Sequence, residues 1–125
     1  MSIHFRSLGR SALKVTELGF GGAPLGYVRL SADTIADMVA TAWGGGIRYF
    51  DTAPLYGGGE SERRLGGELV KQQRDAFVLS TKVGRVLVPA AEAGQPLHVE
   101  YDYTYDGARR SFDASLDRLG LDRVD

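Results

Sequence analysis

Apolar positions along the chain follow two rhythms. Residues 3–16 alternate with period two: Ile3 and Phe5, then Leu13 and Val15, sit between polar neighbours, with Gly9-Arg10-Ser11 as the turn. That pattern predicts a β-hairpin. Residues 17–22 read as a buried strand, whose glycines imply a backbone that something approaches closely. Pro24 and Gly26 then predict a loop. Over residues 31–43 the rhythm becomes helical, since Ile35, Met38, Val39, Ala42 and Trp43 repeat on one face. Ser31 is placed to cap this helix, Asp33 suits the positive end of its dipole, and Gly44-Gly45-Gly46 stops it.

The pattern then repeats. Residues 47–50 predict a strand, and Ser61 opens a short helix carrying Leu65 and Leu69, weakened by Gly66-Gly67. Residues 77–81 predict the next strand. Residues 85–104, interrupted by Pro89, Gly94 and Pro96, carry no clear periodicity and are expected to be irregular. Asp106 is the expected cap of a third helix presenting Ala108, Phe112, Ser115, Leu116 and Leu119, closed by Gly120. Residues 123–125 would open a fourth strand. Strands alternating with helices imply an α/β fold with a parallel sheet. Periodicity leaves two architectures open: a doubly wound open sheet, or the first part of an eight-stranded barrel.

Composition narrows the function classes. The 125 residues are 43% hydrophobic and 25% charged, with a formal net charge of −1. That balance argues against a nucleic-acid module, which shows a basic excess. No run approaches the roughly 20 apolar residues that cross a bilayer, so no membrane partner is expected. Residues 1–10 lack the apolar core of a signal peptide. Cysteine is absent, which removes disulfides, thiolate nucleophiles and cysteine metal sites, and no metal site is expected. A reducing cytoplasm suits such a chain.

In either architecture the chemistry gathers at the C-terminal ends of the strands. The first end supplies Gly21-Gly22, the second Asp51 and Tyr56, the third Lys82. A tyrosine alone, with a pKa of about 10, is a poor acid or base at neutral pH. A neighbouring ammonium favours its phenolate, and a carboxylate keeps that ammonium charged and aimed. The trio could therefore protonate a carbonyl oxygen as hydride reaches its carbon, or take the proton from an alcohol.

The run Asp51-Thr52-Ala53-Pro54-Leu55-Tyr56-Gly57, followed by Ser61-Glu62 and Leu65-Gly66, resembles the signature of the aldo-keto reductases. Leu79-Ser80-Thr81-Lys82-Val83-Gly84-Arg85 resembles that family's lysine strand, and residues 105–125 its third helix and fourth-strand entry. Together with that signature, Lys82-Val83-Gly84-Arg85 is most similar to the bacterial branch that oxidises aldoses such as fucose or galactose.

The resemblance implies the N-terminal portion of a (β/α)8 TIM barrel. Residues 1–16 would form its hairpin, and 17–125 three βα units and the start of the fourth strand. It further implies an oxidoreductase acting on a small-molecule carbonyl or sugar with NADP or NAD. Tyr56 would be the proton donor or acceptor, Lys82 its modulator and Asp51 the partner of Lys82. Gly21, Gly22 and Asp51 would lie against the nicotinamide end of the cofactor. Ser61, Glu62, Gly66 and Gly67 read as a helix cap and close packing.

The resemblance implies that a further histidine would complete the site just past residue 125; neither His4 nor His98 is assigned to it. Such barrels rarely fall below about 200 residues. The chain alone is therefore expected to be inactive and prone to self-association. Two rival readings stand beside this one: a catalytically lapsed binding or regulatory domain of the same fold, and a flavodoxin-like interaction module.

Overall fold

The computed structural model describes residues 3–89 and 97–125. Its N-terminal hairpin pairs β1 (Phe5–Ser7) with β2 (Lys14–Thr16) antiparallel, Phe5 opposite Thr16. Three parallel strands follow: β3 (Phe20–Gly21), β4 (Tyr49–Asp51) and β5 (Val78–Ser80), in the spatial order β3-β4-β5. The connections are helical. Between β3 and β4 run α1 (Ala23–Tyr27) and α2 (Ala32–Gly44); between β4 and β5 runs α3 (Glu60–Leu69). After β5 come β6 (Arg85–Val88) and β7 (His98–Tyr101), paired antiparallel, and then α4 (Tyr105–Leu119).

Strand alternation sorts the two faces of the sheet. Phe50 and Leu79, register partners on β4 and β5, are both fully buried. They join Ile35 and Val39 of α2, Leu65 and Leu69 of α3 and Leu119 of α4 in one core. The alternate positions, Asp51 and Ser80, are also register partners and occupy the opposite face. The hydrophobic layer thus lies between sheet and helices, and the polar strand-end residues are left to the other side.

Several expectations change. The stretch expected to be irregular contains the β6–β7 hairpin; each strand is only four residues long, and the breakers Pro89, Gly94 and Pro96 lie between them. Residues 90–96 lie outside the described residues. Residues 23–27, expected as a loop, form one helical turn, because Pro24 occupies a first-turn position where a missing N–H costs nothing. Ser61 is not the cap of α3: left-handed Gly59 precedes the helix, and Ser61 lies buried inside its first turn. Thr104, not Asp106, caps α4, its hydroxyl accepting from Gly107 N at 3.1 Å. Ser31 and Gly120 cap as expected.

The buried stripe of α4 is Gly107, Ser111, Ser115 and Leu119: Ser115 and Leu119 are buried as expected, whereas the expected Ala108, Phe112 and Leu116 are only half-buried beside it. Small residues there let the helix sit close to its neighbours. A Cβ on Gly66 of α3 would lie 2.2 Å from the Leu119 carbonyl oxygen, whereas one on Gly67 would meet nothing within 4 Å. Close packing therefore holds for Gly66 and not for Gly67. Residues 123–125 form no assigned strand, yet Asp125 N donates to Leu79 O at 2.9 Å on the outer edge of β5.

Candidate active site

Asp51 is the last residue of β4, and the loop after it folds back under α1 and α3. Its first residue, Thr52, is fully buried; Ser61 donates to Gly22 O at 2.7 Å and accepts from the Thr52 hydroxyl at 2.8 Å. These bonds tie the ends of β3 and β4 to the start of α3. Further along, Tyr56 O accepts from Ser61 N at 3.1 Å. The Tyr56 ring meets Tyr27 edge-on, with centroids 6.3 Å apart. The loop closes on Gly57, Gly58 and Gly59, all at positive φ, where other residues would be strained.

Lys82 follows β5 by two residues. Its ammonium donates to both carboxylate oxygens of Asp51, at 3.0 and 2.9 Å, and to Thr52 O at 2.8 Å. It also stands 5.2 Å from the centre of the Tyr56 ring. Burial opposes the charge on Lys82. The hydrogen bond and charge of Asp51, followed by those of Tyr56, outweigh burial and raise the Lys82 pKa above its ordinary value. Ser80 donates to Asp51 Oδ1 at 2.6 Å and accepts from the Tyr49 hydroxyl at 3.1 Å. Tyr56, Lys82, Val83 and Arg85 line a cavity of about 290 Å³, with Ala53, Pro54 and Leu55 as its apolar side.

The three residues expected to do chemistry are thus gathered at one strand-end rim. The two expected glycines part company. Gly21, beside Asp51 in the sheet, leaves open space: a Cβ there would meet nothing within 4 Å. Gly22 is buried, and its close approach is to the protein itself; a Cβ would lie 2.8 Å from Ser61 Oγ and 2.9 Å from Asp51 O. His4 and His98 are exposed on the two hairpins, and His98 lies 3.3 Å from Glu100. Among the described residues, no cluster of His, Asp or Glu is placed to hold a metal, and no helix is long and apolar enough to cross a membrane.

Sequence reasoning left Ser80, Thr52 and Glu62 without a place in the site. Ser80 was detectable, since it shares a face with Lys82 at period two. Glu62 was not, because its partners Thr81 and Arg118 are 19 and 56 residues away.

A sheet of sequential parallel strands, preceded by a hairpin and carrying an Asp–Lys–Tyr cluster at its C-terminal rim, defines an α/β fold with its polar cluster at the strand ends. The model of the aldo/keto reductase family matches residues 17–125, and the chain belongs to that family. It is 40% identical over 140 residues to pyridoxal 4-dehydrogenase of Microbacterium luteolum, covering 96% of this chain and 41% of that protein. It is 43% identical over 130 residues to D-threo-aldose 1-dehydrogenase of a Pseudomonas species, covering 92% and 40%. Among solved structures, the holo form of an aldo-keto reductase from Bacillus halodurans superposes with a TM-score of 0.81 at 33% identity, over 98% of this chain and 38% of that one. The chain spans about two fifths of the length of these relatives. Of the two architectures left open, the fold is therefore the N-terminal part of the TIM barrel.

Proposed function

We propose that the protein is a nicotinamide-dependent oxidoreductase that interconverts a carbonyl and an alcohol, or oxidises an aldose, with Tyr56 as general acid and base. The observation that carries this reading is the Lys82 ammonium, bound by both oxygens of Asp51 and standing 5.2 Å from the Tyr56 ring in the wall of a cavity. Relatives that act on an aldose and on pyridoxal favour a small hydroxylated aldehyde, hemiacetal or alcohol as substrate.

The residues present fit a nicotinamide, NADP or NAD, at one point: the open space over Gly21, next to Asp51. Gly21 and Asp51 would hold the nicotinamide end there, with Gly22 shaping the strand end from beneath. When bound, that cofactor supplies or accepts the hydride at the carbonyl carbon. Tyr56 gives its phenolic proton to the substrate oxygen as the carbonyl becomes an alcohol, and takes it back in the reverse direction. Lys82 stabilises the negative charge left on the Tyr56 oxygen. Asp51 keeps Lys82 charged and aimed, and Ser80 orients Asp51. Leu55, Pro54 and Ala53 present apolar surface to the cavity, against which the carbon skeleton of a substrate can pack.

Tyr56→Phe in the full-length protein tests the reading. Removing a general acid costs about 10²–10⁴ in rate. Turnover of an aldehyde with reduced nicotinamide should fall by that factor, while nicotinamide affinity by fluorescence titration stays at the wild-type value. Wild-type turnover in the Phe variant would overturn the role of Tyr56.

A further inference from the structure

Glu62 of α3 is fully buried, and nothing in the proposed proton transfer uses it. A buried carboxylate is costly unless both oxygens are satisfied. Here Oε1 accepts from the Thr81 hydroxyl at 2.6 Å and Oε2 from Arg118 Nε at 2.6 Å. Arg118, itself only 13% exposed, also donates to Ser115 Oγ at 3.2 Å. The pair therefore joins α3 and α4, and its free oxygen reaches the residue immediately before Lys82.

That placement matters because the ladder stops there. The last backbone bond from the end of β5 runs from Thr52 N to Ser80 O at 2.9 Å. Among the described residues, no backbone hydrogen bond holds Thr81, Lys82 or Val83. Side chains pin the segment instead, from its two faces. Ser80 and Lys82 are drawn to Asp51 on one side, and Thr81 is drawn to Glu62 on the other.

We infer that Glu62 and Thr81 form a positioning pair that sets the reach of Lys82 toward Asp51 and Tyr56. The inference rests on the reading of Tyr56 and Lys82 given above. Neither residue of the pair touches the cavity; they act through the backbone of the Lys82 segment. A displacement of about 1 Å at a reacting group can cost about a hundredfold in rate.

Two substitutions at one position test it. Thr81→Val keeps the shape and drops the hydroxyl, while Thr81→Ser keeps the hydroxyl. Lys82 can be followed by NMR after ¹³C-methylation, its signal assigned by its loss in Lys82→Arg. In Thr81→Val the Lys82 titration should move down toward the ordinary lysine value. In the full-length protein kcat should fall about ten- to a hundredfold with KM little changed. Thr81→Ser should restore both. A folded Thr81→Val with the wild-type Lys82 titration overturns the inference, whatever its kcat. Should Thr81→Val fail to fold, Glu62→Gln is read by the same titration with the same outcomes. Absence of nicotinamide turnover in the wild type would instead remove the proposed role of Tyr56, and the Lys82 titration would still decide the role of the pair.

Discussion

The backbone of Gly26 is pressed against the peptide of Tyr56: a Cβ on Gly26 would lie 2.4 Å from both the carbonyl carbon and oxygen of Tyr56, and 2.7 Å from Gly57 N. Neither side can yield cheaply, because both are backbone. Helix α1 is held in turn by Arg64, which donates to Leu25 O at 2.5 Å and Val28 O at 3.2 Å. The five-residue helix is thus a rest for the tyrosine loop. Gly26→Ala should destabilise the protein by about 1–3 kcal/mol, the usual cost of overpacking. Urea denaturation measures that loss. Because the loop must move to admit the methyl group, turnover should drop even where the variant remains fully folded. An unchanged midpoint would show that α1 and the loop are free to separate.

Gly21 and Gly22 make a sharper pair, since they are adjacent and opposite in environment. A methyl on Gly21 enters open space, whereas one on Gly22 enters Ser61 Oγ and Asp51 O. Gly21→Ala should leave the denaturation midpoint within about 0.5 kcal/mol of wild type, as for substitutions that break no contact. It should nonetheless weaken nicotinamide binding several-fold. Gly22→Ala should lower stability first. Equal nicotinamide affinity in Gly21→Ala and the wild type would move the cofactor away from this strand end.

The candidate chemistry was legible because strand ends are punctuated locally. Glycines before residue 47 and the Pro-Gly-rich loop after Asp51 mark where β4 starts and stops, so Asp51, Tyr56 and Lys82 could be assigned to one rim. What escaped was decided by contacts distant in sequence. Ser61 and Asp106 have the right chemistry for caps, but the chain enters α3 through left-handed Gly59, where Arg118 packs so closely that a Cβ would lie 2.5 Å from its Cδ. On α4, Ser115 and Leu119 face inward as expected, but small Gly107 and Ser111 rather than the larger Phe112 and Leu116 complete the buried face, because they permit close contact with its neighbours. Hairpin β6–β7 escaped because Val86-Leu87-Val88 is a continuous apolar run without alternation, followed by the breakers Pro89, Gly94 and Pro96.

The contact between α3 and α4 yields a contrast within one glycine pair. At Gly66 a methyl would meet Leu119 O, Cα and C at 2.2–2.7 Å, so Gly66→Ala forces the two helices apart. At Gly67 there is open space, the residue is exposed, and alanine is the better helix former. Gly67→Ala should stabilise by about 0.5–1 kcal/mol. Gly66→Ala should destabilise by more than that amount, through overpacking. Thermal unfolding of the two variants should move in opposite directions; a shared direction would mean that α4 is not seated on Gly66 in solution.

Lys82 and Asp51 also predict how stability follows pH. The Lys82 pKa is raised in the folded state because the attraction of Asp51 and Tyr56 exceeds the cost of burial. A raised lysine contributes its full stabilisation below the unfolded-state value of about 10.4, and loses it as pH climbs through the higher folded value. Asp51→Asn removes the charge that does most of the raising. The stability difference between wild type and Asp51→Asn should therefore be level from about pH 6 to 9 and shrink above about 10.4. Half of the Lys82 side chain is exposed, so salt should reduce the difference as well. Urea denaturation across an alkaline pH series at low and high ionic strength measures both effects. A difference that stays level above pH 10.4 would mean that Lys82 draws its charge stabilisation from a group other than Asp51.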